Sequence, residues 1–135
     1  MKNTPVSDVM TVNPQSVSPS QPLLDVKHLY EKKDFHHHIP VIEGEKLVGM
    51  ISLLDFMYGI KGAGIDDSSP IYSEKLVKDI MSTNLMTLDD QASLHEAAEL
   101  FTSGEFHSIP IVSGERLVGI ITTTDLIRHL INTSN

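Results

Sequence analysis

The chain has 135 residues, 40% hydrophobic and 21% charged, which suits one compact domain or two half-size units sharing a core. Eighteen acidic against ten basic residues give a net charge of −8, which opposes a phosphate backbone and argues against nucleic acid as a partner. Cysteine is absent, excluding disulfides and thiol chemistry, while the lack of a spanning apolar run or a signal-like opening predicts a cytoplasmic protein with no membrane role.

In chain order, the opening Val6-Ser7-Asp8-Val9-Met10 is followed by a short extended piece at residues 16–18 and a helix at 23–33. Two apolar runs, 38–42 and 47–52, are joined by the tight turn Glu43-Gly44-Glu45, which predicts a hairpin. Ser52-x-x-Asp55 then opens a second helix, because a hydroxyl and a carboxylate three residues apart can satisfy orphan backbone N–H groups. Residues 59–75, with Gly59, Gly62, Gly64 and Pro70 among small polar residues, read as a linker.

After the linker the chain is written a second time. Val77-Lys78-Asp79-Ile80-Met81 repeats the opening at an offset of 71 (77 − 6), and the same offset pairs Phe35 with Phe106 and His36 with His107. An extended piece is expected at 87–89. The next helix, 94–103, carries Leu94, Ala97, Ala98 and Phe101 on one face and Ser93-x-x-Glu96 as a capping box. From Ile109-Pro110 onward the offset is 70, so "GEKLVGMISLLD" (44–55) matches "GERLVGIITTTD" (114–125). One extra residue therefore lies between His36 and Ile39, inside Phe35-His36-His37-His38-Ile39-Pro40.

Two copies of V-x-D-h-M (h, apolar), a helix, F-H-x-I-P and G-E-x-L-V-G-h-I-(S/T)-x-x-D resemble the tandem cystathionine-beta-synthase (CBS) domain pair, or Bateman module, over nearly the whole chain. The resemblance implies an α+β fold of two β-α-β-β-α repeats, at 1–58 and 76–135, related by a pseudo-twofold axis with their sheets packed together. It also implies a homodimer and a regulatory role toward an effector protein, through adenosine ligands such as AMP, ADP, ATP or S-adenosylmethionine. No obligatory cofactor is expected, although Mg²⁺ would accompany a triphosphate.

Carried over by position, Asp55 and Asp125 match the carboxylates that accept from ribose hydroxyls, and Ser52 and Thr122 match their hydroxyl partners. The residues themselves leave a second reading open, in which both pairs only cap a helix. Ile39-Pro40 and Ile109-Pro110, with His107 before the second pair, fall where the resemblance puts adenine, or else they are ordinary buried strand. Val12 and Thr83 match the loop that closes over base or phosphate. Arg128, where the first copy has Tyr58, is a phosphate candidate, which makes the second site the expected primary one.

Three other readings compete with this one. Catalysis is not expected, since there is no G-x-S-x-G, Walker loop, G-x-G-x-x-G or H-E-x-x-H. A ligand-free dimerisation or interaction module is the main alternative. A metal site on His36, His37 and His38, helped by His107, is disfavoured, because neighbours in extended backbone point to opposite sides and cannot easily converge on one ion.

Overall fold

The computed structural model describes residues 1–133. After a single 3-10 turn at Val6–Asp8, its elements are β1 (Thr11–Val12), α1 (Leu23–Tyr30), β2 (His38–Glu43), β3 (Lys46–Ser52), α2 (Leu53–Gly59), α3 (Ile71–Glu74) and α4 (Val77–Ile80). Then come β4 (Leu88–Asp89), α5 (Leu94–Thr102), β5 (Ser108–Ser113), β6 (Arg116–Thr122) and α6 (Thr123–Thr133). The fold is α+β, as expected.

The compact units cut across the sequence repeats. One, here the middle unit, is Gln15–Leu85; the other, the end unit, joins Met1–Pro14 to Met86–Asn135. The opening segment of the chain thus packs with the second repeat's hairpin. Three contacts tie it there. Val6 N–H donates to the Ala92 carbonyl at 2.7 Å and Leu94 N–H to the Thr4 carbonyl at 2.8 Å, and β1 pairs antiparallel with β6. The middle unit repeats the arrangement with Val77 N–H on the Gln21 carbonyl (2.8 Å), Leu23 N–H on Lys75 (2.9 Å) and a two-way bond between Met50 and Ser82.

Each hairpin has the same register and the same flaw. In β2–β3 the pairing slips between Val41 and Ile42, and in β5–β6 between Ile111 and Val112; such a bulge bends a strand locally. The turns need Gly44 and Gly114, at φ +62° and +64°, where a side chain would be strained. The extended pieces are shorter than expected. Val17 makes a single parallel bridge to Val41, whereas Leu88 and Asp89 pair parallel with β5.

Alternation along the strands decides which side chains form the core. In the end unit Ile109 and Ile111 of β5 join Ile121 of β6, Leu94 and Ala97 of α5, Val6 and Leu126. In the middle unit Ile39, Val41 and Ile51 join Val17, Leu23, Val26, Phe56, Tyr72 and Val77. Full burial of an aliphatic side chain of this size contributes roughly 1.5–3 kcal/mol.

Two expectations need correction. The first helix ends at Tyr30 rather than at Lys33, because Glu31, Lys32, Lys33 and Asp34 are all exposed and leave no apolar face to bury. The segment 59–75 is also more than a linker. It carries α3, whose Tyr72 is only 2% exposed inside the middle core, with its hydroxyl donating to the Gly64 carbonyl. A fully buried ring outweighs the loop-like composition around it.

Candidate functional site

Both hydroxyl-x-x-Asp motifs close a capping box. Ser52 N–H donates to Asp55 Oδ2 (3.0 Å) while Asp55 N–H donates to Ser52 Oγ (3.0 Å). Thr122 N–H donates to Asp125 Oδ2 (3.0 Å) and Asp125 N–H to Thr122 Oγ1 (3.1 Å). The capping reading is thus realised at both places. It engages only one oxygen of each carboxylate, so an acceptor remains for other work.

The two carboxylates differ in their surroundings. Asp125 is 8% exposed, and its Oδ1 lies 3.5 Å from Arg128 Nη1 and 3.5 Å from Thr11 Oγ1. Asp55 is partly exposed, and its Oδ1 has no hydrogen-bond partner among the described residues. Tyr58 takes the place of Arg128 and is 74% exposed. The phenol of Tyr30 is pushed well above its ordinary range, first by burial and then by the Asp55 carboxylate.

The remaining expected residues sort by unit. Val12, exposed in β1 and opposite Gly119, belongs with Asp125, Thr122, Ile109, Pro110, His107 and Arg128. Thr83, exposed just after Ser82, belongs with Asp55, Ser52, Ile39 and Pro40. Ile109 and Ile39 point into their cores, at 0% and 3% exposure, so their side chains serve packing. Thr11 was missed. Its signal was the pairing of Thr11 with Ser82 at offset 71, a hydroxyl after the methionine in both copies.

At the histidine run the structure shifts the alignment. His37 carbonyl accepts from Leu53 N–H (2.8 Å) as His107 carbonyl accepts from Thr123 N–H (3.1 Å), and His38 opposes Ser52 as Ser108 opposes Thr122. His37, not His36, is therefore the counterpart of His107, and the extra residue precedes it. Phe35 stacks its edge on Tyr30 and lies 5.2 Å from the His37 ring. Among the described residues, the group whose donor atoms fall within 4.8 Å of one another is His28, Glu31 and Asp67, not the histidine run. There Lys27 Nζ already bonds Glu31 (2.7 Å) and Asp67 (2.5 Å).

One depression of about 190 Å³ lies in the end unit, lined by Asp8, Val9, Asp125, Arg128, His129 and Asn132. Arg128, His129 and Asn132 follow Asp125 at three, four and seven residues on α6, which puts them along one helix face. Asp8, from the 3-10 turn, faces them. The cap at Asp125 and this depression share one carboxylate.

The family model for the CBS domain matches residues 6–62 and 77–132. The chain belongs to the CBS-domain family, as a tandem pair. Its sequence is 31% identical over 121 residues to the CBS domain-containing protein YhcV of Bacillus subtilis, covering 90% of this chain and 81% of that one. Among solved structures, AcuB of Vibrio cholerae is 31% identical with a TM-score of 0.81, covering 95% of this chain and 90% of that one. CBSX2 of Arabidopsis thaliana, in complex with AMP, is 26% identical with a TM-score of 0.82, covering 98% of this CBS pair and 99% of its own chain. No described helix is long and apolar enough to cross a membrane.

Proposed function

We propose that this CBS pair is a regulatory sensor of adenosine ligands, AMP, ADP, ATP or S-adenosylmethionine, without catalytic activity of its own, acting in the cytoplasm on an effector protein. The observation that carries the reading is Asp125. Its carboxylate is held rigid by the cap through Oδ2, and Oδ1, which Arg128 Nη1 and Thr11 Oγ1 approach only to 3.5 Å, is the acceptor offered to the neighbouring hydroxyls of a ribose, a charge-assisted contact. A relative of 26% identity solved with AMP supports the same class of ligand. Thr122, Val12, His107 and the main chain of Ile109-Pro110 complete the contacts, with Arg128 near the 5′ end. Asp55, Ser52, Ile39, Pro40 and Thr83 form the weaker counterpart. Mg²⁺ enters only with a triphosphate.

Calorimetry with the four compounds tests this, and a ligand that binds only the native state must also raise the melting temperature. Silence from all four at millimolar concentration would sink the proposal.

One observation favours a second reading, dimerisation without a ligand. Leu54, Met57 and Tyr58 on α2 and Ile127, Leu130 and Ile131 on α6 are exposed at the i, i+3, i+4 spacing of an apolar stripe. A homodimer through these helices would cover them, and sedimentation of Met57→Glu and Ile127→Glu variants would test it. A dimer indifferent to every adenosine compound would favour this reading over sensing.

A further inference from the structure

The two copies of V-x-D-h-M use their aspartate differently, and one residue explains why. Asp79 caps α4, accepting from Leu76 N–H at 2.9 Å. The residue at the matching place, three before Asp8, is Pro5, which has no N–H to give. Pro5 and Leu76 otherwise correspond closely: both are extended, at φ −72° and −108°, and both bridge antiparallel to the residue that precedes the long helix of their own unit, Ser93 before α5 or Pro22 before α1. The proline therefore frees the Asp8 carboxylate, which instead lines the depression beside Asp125, Arg128, His129 and Asn132.

That lining sets two carboxylates against one guanidinium. A 5′-phosphate carries close to two negative charges at neutral pH, and it would meet Arg128 only by also approaching Asp8 and Asp125. An α-amino-acid end has the opposite fit. Its carboxylate can take the planar fork of Arg128, its ammonium can take the freed Asp8, and the Asn132 amide can serve either. A sulfonium on the same ligand adds a positive charge near a lining of net negative sign.

Resting on the adenosine reading above, we infer that the end-unit site selects adenosyl compounds bearing an amino-acid tail, of the S-adenosylmethionine kind, over 5′-nucleotides, with Asp8 as the selecting residue. Pro5 acts through Asp8 by leaving it without a backbone donor.

The test is calorimetry on the full chain with S-adenosylmethionine, S-adenosylhomocysteine, 5′-methylthioadenosine, adenosine and AMP. The two amino-acid compounds should bind about tenfold tighter than 5′-methylthioadenosine, or ~1.4 kcal/mol, and AMP should bind more weakly than adenosine. Asp8→Asn, and independently Pro5→Leu, which restores the N–H that occupies Asp79 in the other copy, should each shrink the ratio of S-adenosylmethionine to AMP affinity, with adenosine measured beside them as the common reference. AMP binding tighter than S-adenosylmethionine, or a ratio unmoved in both variants, overturns this selection and leaves the adenosine reading standing. Failure of all five compounds to bind overturns both.

Discussion

Met10 lies directly over Gly119, and Met81 stands in the same relation to Gly49. A Cβ on Gly119 would collide with Met10 Sδ and come within 2.9 Å of the Thr11 carbonyl; on Gly49 it would sit 2.6 Å from Met81 Sδ and 3.1 Å from the Ser82 carbonyl. The methionine of V-x-D-h-M and the glycine of L-V-G are two halves of one contact. That contact positions Thr11, and through it the edge of the Asp125 site.

Gly119→Ala is expected to destabilise by roughly 1–3 kcal/mol, the usual cost of overpacking, and Gly49→Ala by less, since its backbone neighbour is farther away. Met10→Ala in the Gly119→Ala background should recover only part of the loss, because the Thr11 carbonyl cannot withdraw as a flexible thioether can. Urea midpoints decide; full recovery would mean that the thioether is the whole obstruction.

Removing either capping carboxylate, by Asp55→Ala or Asp125→Ala, should cost about 1 kcal/mol of stability. Asp125→Ala should cost more, because Arg128 and Thr11 also face it, and it should reduce adenosine-ligand affinity more. The reverse order in calorimetry would make the middle unit the primary site.

The Lys27 cluster predicts a particular response to acid. Asp67 is held below its ordinary 3.8, first by the hydrogen bond from Lys27 and then by that from His28, so its contribution is present above 3.8 and fades as pH falls through the depressed value. Lys27, pushed up to about 12 chiefly by Asp67 and then Glu31, contributes fully below its ordinary 10.5 and loses that only as pH climbs through 12. As pH falls below about 4 the melting temperature should therefore drop more steeply in the native chain than in Asp67→Asn. Equal slopes would mean that this partly exposed pair contributes nothing measurable.

The histidine run offers a test by deletion. Loss of one histidine, which gives the same chain whichever of His36, His37 and His38 is removed, takes out the residue that has no counterpart in the second copy and should leave stability within about 1 kcal/mol. Loss of Pro40 should instead unfold the middle unit, because it leaves Ile39 and Val41 adjacent in β2, where they cannot both point into the core. A histidine deletion as damaging as the loss of Pro40 would place the insertion elsewhere.

Much of the fold was legible because it rests on local rules. Short apolar runs gave the hairpins, Gly44 and Gly114 their turns, and the i, i+3 hydroxyl and carboxylate pairs the starts of α2 and α6. The 3-10 turn at Val6–Asp8 and α3 escaped notice, because three or four residues are too few to show a helical period. Tyr72 is core for a reason absent from its neighbours: the Lys27 ammonium, 5.5 Å from its ring centre, and Phe56 lie against it.

By itself the sequence determined the duplication, the family and the two capping motifs, since each is carried by residues close together in the chain or repeated at a constant offset. Tertiary structure decided what those motifs stand beside. Only folding brings residues 1–14 onto 86–135, setting Thr11 by Asp125 and Asp8 opposite Arg128, and only a comparison of the folded copies shows that Pro5 leaves Asp8 without the donor that occupies Asp79. Offsets describe neighbours in the chain, whereas the charge of a depression depends on side chains that packing gathers from both ends of it.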